Sequence, residues 1–164
     1  MKEENRYYDV IPTHKLDQKA VTAFFTAHWG SPKMVISRGV FQCDQLDGYA
    51  VLNEKEDIIG LITYMIEDEC EIISLDSLTE NKGVGTLLVQ KVEQTAREKG
   101  IQHIRLVTTN DNIHAMRFYQ KKGYRLSGIY HDAVEKARKL KPEIPYVSDN
   151  GIPITDEILF VKTF

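Results

Sequence analysis

The stretch EIISLDSLTENKGVGTLLVQKVEQTAREKGIQHIRLVT, residues 71–108, decides the fold of this chain. An extended apolar run leads into a helix predicted over residues 83–99, where apolar side chains recur at helical spacing. Gly100 suits the left-handed end of that helix, and a β-branched strand is predicted over residues 104–108. Two strands joined by a helix form a right-handed crossover, so the sequence predicts that they run parallel.

The flanking sequence continues this alternation of strands and helices. Short extended pieces without clear periodicity are expected over residues 33–47. The remaining predicted elements are helices at 16–28, 112–122 and 132–140, and strands at 49–53, 58–66, 70–78, 125–129 and 157–162. The strands at 49–53 and 58–66 are joined by a polar turn and should be antiparallel. A chain of 164 residues suits one domain, residues 1–164, with a mixed α/β fold around a single sheet.

Composition excludes several classes of function. With 42% hydrophobic residues, 27% charged residues and a net charge of -3, the chain has no broad basic surface for nucleic acid. No apolar run approaches the ~18 residues of a membrane span, and the charged N-terminus lacks a secretion signal. Cys43 and Cys70 fit neither a disulfide framework nor a metal site, and Cys70 is expected in the core. A cytoplasmic protein without a metal is expected.

A glycine loop precedes the long helix, with Lys82, Gly83, Val84, Gly85 and Thr86 in sequence. Glycines allow close approach of a ligand to the backbone, and the free N–H groups of a helix N-terminus suit a phosphate. The loop completes neither of two known phosphate-binding fingerprints. The Rossmann fingerprint needs a third glycine where this chain has Leu88, and the Walker A loop needs a Gly-Lys-Ser/Thr string after a four-residue spacer, which this chain lacks. A tight turn that binds nothing is the alternative interpretation.

A second motif, TTNDNIHAMRFYQKKGY, covers residues 108–124. At ~100° per residue, Asn112, Met116 and Tyr119 fall within about 60° of one another on a helix, with the small Ala115 beside them. Such a face can receive a slender ligand that carries amide groups. The alternative is that Met116 and Tyr119 are core residues and Asn112 is a helix cap. His114 points away from this face and is expected on the surface.

Together the two segments resemble the two signature regions of the GNAT superfamily of N-acetyltransferases, over residues 58–126. The superfamily's loop signature, Gln/Arg-x-x-Gly-x-Gly/Ala, is matched by Gly83 and Gly85, with Glu80 in the place of Gln or Arg. The second signature, Asn-x-x-Ala-x-x-x-Tyr followed by Gly-Tyr or Gly-Phe, is matched without a gap by Asn112, Ala115, Tyr119, Gly123 and Tyr124. Two motifs in the right order are far more specific than either alone.

This resemblance implies a single, central, mostly antiparallel sheet with a splayed parallel strand pair and helices on both faces. It also implies that the strand at 71–78 bulges and splays from the strand at 104–109. It also implies an enzyme that transfers an acetyl group from acetyl-CoA to an amine by direct attack in a ternary complex, and it is compatible with a homodimer. The pantetheine arm of CoA would lie between the splayed strands and pair with the main chain of Leu75, Asp76 and Ser77. The pyrophosphate would rest on the N–H groups of residues 82–86. Asn112 would bind the arm, and Ala115, Met116 and Tyr119 would line its path.

Three residues are candidates for proton transfer. Tyr119 would lie near the sulfur and is the candidate general acid for the departing thiolate, while an N–H group near Leu75 would stabilise the oxyanion. The base is either Glu71 or Asp76, acting through water, with a slight preference for Glu71. Five positions separate them, which places them on opposite faces of a regular strand unless a bulge intervenes.

The acceptor amine stays open, although acidic residues near the cleft suit a cationic one. We expect residues 132–154, together with 33–47, to form a wall or lid beside the acceptor, and Trp29 to be a packed anchor. Two alternatives to the enzyme are a non-catalytic CoA-binding sensor or partner module, and a small nucleotide-phosphate binder.

Overall fold

A computed structural model describes residues 8–78 and 83–164. Its helices are α1 (Gln18–Trp29), α2 (Val84–Glu98), α3 (Ile113–Lys121) and α4 (Ala133–Leu140). Its strands are β1 (Val10–Pro12), β2 (Lys33–Ile36), β3 (Gly39–Gln42), β4 (Asp47–Leu52), β5 (Ile58–Ile66), β6 (Cys70–Ser77), β7 (His103–Thr109), β8 (Arg125–Tyr130) and β9 (Glu157–Thr163). The helices and strands predicted with bounds are all present, and their ends differ from the prediction by two residues at most.

Seven of the strands form one sheet in the order β1-β4-β5-β6-β7-β9-β8. Among the described residues, β6 and β7 pair in parallel and the other neighbours in this sheet pair antiparallel. The crossover helix α2 connects the parallel strands, as the sequence predicts. Strands β2 and β3 form a separate antiparallel hairpin. The predicted mixed, mostly antiparallel α/β fold is therefore confirmed.

Strand β1 is the element that the sequence analysis missed. It has only three residues, which is too short for a period of two to be detectable, and Val10 pairs with Val51 of β4 at the edge of the sheet. Its last residue is a proline, which is tolerated at a sheet edge because no ladder hydrogen bond is lost there.

Helices cover both faces of the sheet. Because successive side chains of a strand point to opposite faces, each strand contributes to a hydrophobic core on both sides of the sheet. Val51 packs with α2 residues such as Leu88 on one face. Its neighbour Ala50 packs with Phe25 of α1 on the other face. The side chains of α2 are buried at helical spacing because one stripe faces the sheet (Val84, Leu88, Val89, Val92 and Ala96).

A bulge in β6 opens the sheet at its centre. Thr63 of β5 pairs with Ser74, but the next residue of β5, Tyr64, pairs with Ile72, so Ile73 is an extra residue in β6. The parallel pairing of β6 with β7 covers Cys70 and Glu71 and goes no further in the described chain. Beyond this point the two strands diverge and leave a gap, which confirms the predicted splay.

Candidate functional site

The N-terminus of α2 lies at one mouth of this gap. Gly83 caps the helix with a left-handed backbone, φ 76°, a conformation that glycine adopts at little cost. A Cβ at Gly85 would lie 3.4 Å from the ring of Phe118, an ordinary van der Waals distance, so α3 lies directly beside this glycine. Lys82 and Glu80, which also belong to the predicted loop, lie outside the described residues.

A cavity of about 390 Å³, here called the loop cavity, lies between this helix N-terminus, β6 and α3. Its lining includes ten of the twelve residues predicted to contact a cofactor (Leu75, Asp76, Ser77, Gly83, Val84, Gly85, Thr86, Asn112, Ala115 and Tyr119). Of the other two, Lys82 is not described, and Met116 packs against the core instead of lining the cavity. His114 and Phe118 also line the cavity. His114 is exposed, as expected, yet it borders a cavity from which the helical wheel excluded it.

Asn112 combines the two roles between which the sequence analysis left a choice. Its side-chain oxygen accepts a hydrogen bond of 3.1 Å from the N–H of Ala115, which caps α3. The same residue lines the loop cavity. Because the cap uses the amide oxygen, the amide NH₂ group is the part of Asn112 that can serve a ligand.

Tyr119 is a buried residue at the inner end of the loop cavity. Its ring packs edge-on against Phe118 and Tyr124, and the residue is 6% exposed. Burial raises the pKa of the Tyr119 phenol, and the nearby charge of Asp76 raises it further. The hydroxyl therefore stays protonated at neutral pH and is available as a hydrogen-bond donor.

Asp76 lies on β6 beside Tyr119, between α1 and the gap. One carboxylate oxygen accepts a hydrogen bond of 3.2 Å from the indole N–H of Trp29. The other oxygen is buried without a hydrogen-bond partner in the described part of the chain. Burial raises the pKa of Asp76, while the Trp29 hydrogen bond and the charge of His28 oppose the rise. An oxygen that is buried and unsatisfied is an acceptor held ready for a proton donor.

A second cavity of about 380 Å³, here called the wall cavity, lies on the other side of the gap. Strands β6 and β7 form its floor, and α1, β2, α4 and the segment after α4 surround it. The two cavities share five lining residues (Leu75, Asp76, Asn112, Ala115 and Tyr119). They therefore meet at the place where the carboxylate of Asp76 and the phenol of Tyr119 lie.

The wall of this second cavity is made by the two segments that the sequence analysis proposed as a wall or lid. Lys33 of β2 donates a hydrogen bond of 2.7 Å to the carbonyl of Leu140, and Lys141 donates one of 2.7 Å to the carbonyl of Lys33. Burial lowers the pKa of Lys141. Trp29, expected to be a packed anchor, packs against Phe25 and also lines this cavity.

Glu71, the slightly preferred base, lies elsewhere. Because the bulge at Ile73 shortens the effective spacing by one position, Glu71 and Asp76 share a face of the sheet. Glu71 is nevertheless paired with Arg105 at 3.2 Å and with Arg38 at 3.5 Å, and it lines a separate cavity. Burial raises its pKa, and the two arginines oppose the rise. The structure therefore brings Asp76 and Tyr119 together and leaves Glu71 in an ion-pair cluster.

Two further kinds of site were sought in the described residues. No cluster of three or more His, Cys, Asp or Glu side chains is arranged to hold a metal ion within residues 8–78 and 83–164. Over the same residues, no helix has the length and apolar character that crossing a membrane requires.

The sequence and the fold can be compared with known proteins. The profile of the Acetyltransferase (GNAT) family matches residues 17–124. The uncharacterized protein YxbD of Bacillus subtilis (strain 168) is 59% identical over 155 residues, 94% of this chain and 98% of that protein. A GNAT family acetyltransferase from Elizabethkingia anophelis, solved with acetyl-CoA bound, is 25% identical with a TM-score of 0.61, covering 73% of this chain and 76% of that chain.

A Bacillus subtilis acetyltransferase in complex with CoA shares the fold over nearly the whole length. Its TM-score is 0.67 at 17% identity, and the match covers 96% of this chain and 99% of that chain. The family profile spans both sequence motifs and the whole of the gap between β6 and β7. This chain belongs to the GNAT family of acetyltransferases.

Proposed function

We propose that this protein transfers the acetyl group of acetyl-CoA to an amine by direct attack, in a complex that holds both substrates at once. The observation that carries the proposal is the meeting of two cavities in the gap between β6 and β7, with Asp76 and Tyr119 at their junction. One cavity can hold the cofactor while the other holds the acceptor, and the reacting atoms then meet at the junction.

Acetyl-CoA fits the loop cavity by its chemistry. A pyrophosphate suits the N-terminus of α2, where the left-handed Gly83 directs free N–H groups outward and the helix dipole favours negative charge. The amide-bearing pantetheine arm would run along the part of β6 that does not pair with β7 and would satisfy its main-chain groups. The acetyl thioester then lies between Asp76 and Tyr119. A relative that is 25% identical was solved with acetyl-CoA bound, which supports acetyl-CoA as the ligand of this chain.

The acceptor would enter through the wall cavity. An ammonium group must lose a proton before its nitrogen can attack a thioester carbonyl. Asp76 is the base that the geometry favours over Glu71, because its free oxygen is buried at the junction while Glu71 is held by two arginines. The hydrogen bond from Trp29 fixes the orientation of the Asp76 carboxylate, and Asp76 is one of the residues that line the wall cavity.

The remaining steps use the other groups at the junction. The amine nitrogen bonds to the carbonyl carbon, and a main-chain N–H near Leu75 stabilises the oxyanion that forms. The C–S bond then breaks, and Tyr119 donates its proton to the departing sulfur. The attacking nitrogen loses its second proton, which restores the Tyr119 phenol, and the proton taken up by Asp76 passes to water. The products are an N-acetylated amine and free CoA. Burial keeps Tyr119 protonated until the thiolate appears next to it.

The basic test is thiol release from acetyl-CoA in the presence of a panel of amines. We expect release that depends on both the amine and the enzyme, with an acetylated amine detected by mass spectrometry. If CoA binds but no amine in the panel accelerates thiol release, the chain is a CoA-binding sensor and the proposed activity is wrong.

Asp76→Asn should lower kcat/KM at least about a hundredfold, because general bases typically contribute this much or more. Only the carboxylate form of Asp76 can act as a base, and burial raises its pKa. In the wild type, kcat/KM should therefore fall with decreasing pH through an apparent pKa above the ordinary aspartate value of about 3.9. This acidic limb should disappear in Asp76→Asn.

Glu71→Gln is the matched control for this experiment. It removes a partner of Arg38 and Arg105 and should lower the melting temperature while retaining the acidic limb. Loss of the limb in Glu71→Gln, together with its persistence in Asp76→Asn, would assign the base to Glu71 instead.

Tyr119→Phe should lower kcat about tenfold or more without changing the affinity for CoA, because only the proton donor is lost while the ring still fills its place. Single-turnover kinetics and calorimetry with CoA measure the two quantities. Tyr146→Phe is the control, since Tyr146 is 72% exposed and lines neither cavity. An unchanged single-turnover rate in Tyr119→Phe would remove Tyr119 from the mechanism.

Gly83→Val should weaken CoA binding about tenfold or more, because its side chain would enter the pyrophosphate site and strain a left-handed backbone. Gly100→Val is a close control at the other end of α2, with φ 74° against 76° at Gly83 and no atom near the position of the added Cβ at either site. Calorimetry with CoA gives both affinities. Equal losses in the two variants would show that strain in α2, not blockage of the site, reduces binding.

A further inference from the structure

The carboxylate of Glu157 is a buried charge that the proposed reaction does not use. Glu157 is the first residue of β9, is 2% exposed and lines the wall cavity. It pairs with Thr109 of β7 in the central sheet and with Tyr130 of β8 on its other side. Its backbone position is therefore fixed by two neighbouring strands.

Among the residues that the structure describes, Ser37 is the partner of this carboxylate, and Ser37 is neutral. The N–H of Ser37, between β2 and β3, lies 3.2 and 3.1 Å from the two oxygens of Glu157, and the Ser37 hydroxyl donates a hydrogen bond of 2.7 Å. These contacts hold the carboxylate in the wall of the cavity. They supply hydrogen bonds but no positive charge.

The cations nearest along the chain or in the cavity are committed elsewhere. Arg38, next to Ser37, pairs with Glu71, and so does Arg105. Lys141 lines the wall cavity, but its ammonium donates to the carbonyl of Lys33. Within residues 8–78 and 83–164, no ion pair includes Glu157. A buried carboxylate without a counter-charge is costly, and a cationic ligand would compensate for it.

The spacing inside the cavity indicates what such a ligand looks like. Asp76 on β6 and Glu157 on β9 are separated by the intervening strand β7. Two paired strand spacings would amount to roughly 10 Å, and the divergence of β6 from β7 after Glu71 widens this separation. Much of the lining around the cavity is apolar, with side chains from β2, α4 and the segment after it (Met34, Ile36, Val134, Ala137 and Ile144). The arrangement suits a molecule with a positive charge at each end and an apolar spacer.

We propose that Glu157, held by Ser37, binds a second cationic group of the acceptor, so that the preferred substrates are dications with an apolar spacer between their two amines. The reacting amine lies at Asp76, and the distal ammonium lies at Glu157. This inference rests on the proposed acetyl transfer and specifies its substrate class.

The test compares hexamethylenediamine with hexylamine, which has the same spacer but lacks the second charge. For the wild type, kcat/KM should favour the diamine by about tenfold or more, which a single desolvated ion pair can supply. Glu157→Gln should reduce this ratio to the statistical advantage of having two equivalent amines. Glu143→Gln removes the same charge from an exposed position that does not line the cavity, and it should keep the wild-type ratio.

Three outcomes would overturn the inference. If the wild type has the same kcat/KM for the two amines, there is no second cation site, and this result is obtained without any variant. An unchanged ratio in a folded Glu157→Gln, with both amines slowed alike, would make Glu157 a structural residue. If other amines, such as benzylamine, are acetylated but neither hexamethylenediamine nor hexylamine is, the preference for dications is wrong while the proposed function still holds. If no amine at all is acetylated, the proposed function itself fails.

Discussion

The one-residue bulge at Ile73 is the constraint on which the rest of the site depends. A regular β6 would continue its ladder with β7, and the two strands would satisfy each other's main-chain groups along their whole length. The extra residue bends β6 away after two paired positions and leaves backbone groups facing a gap. Both cavities border this gap, so the two binding sites that we propose depend on one local irregularity of the sheet.

The bulge also sets the face of the sheet on which the two candidate carboxylates lie. With Ile73 inserted, Glu71 and Asp76 both face α1, yet they meet different neighbours. Glu71, in the paired part of β6, meets two arginines, whereas Asp76, in the splayed part, meets a neutral indole. An indole N–H orients a carboxylate without cancelling its charge. This difference in partners is why we propose Asp76, and not Glu71, as the base.

Local patterns in the sequence were sufficient to predict the helices, the strands from β4 onward and most of the residues that line the loop cavity. The extent of α2 and the set of residues on the cavity-lining face of α3 follow from the spacing of side chains within a single helix. Residues such as Gly83, Asn112 and Tyr119 could therefore be placed from sequence alone. The parity of β6 could not be settled in this way, because the resemblance implies a bulge in the strand at 71–78 but does not say at which residue it lies. The identity of the base was therefore open.

The contacts that the sequence could not predict join distant segments. Trp29 and Asp76 are 47 positions apart, and Ser37 and Glu157 are 120 positions apart. No periodicity connects such pairs, since they meet only after the sheet has formed. His114 shows a smaller version of the same problem, because a helical wheel gives a direction but does not show that the cavity extends around the end of α3.

Two lysine-to-carbonyl hydrogen bonds join the two segments of the wall, β2 and the end of α4, directly to each other. They join residues 107 and 108 positions apart, and neither bond belongs to the central sheet or to the helices that hold the loop cavity. Under the proposed function, a change in these outer segments would alter which amines fit the wall cavity, while the residues around the N-terminus of α2 would stay the same.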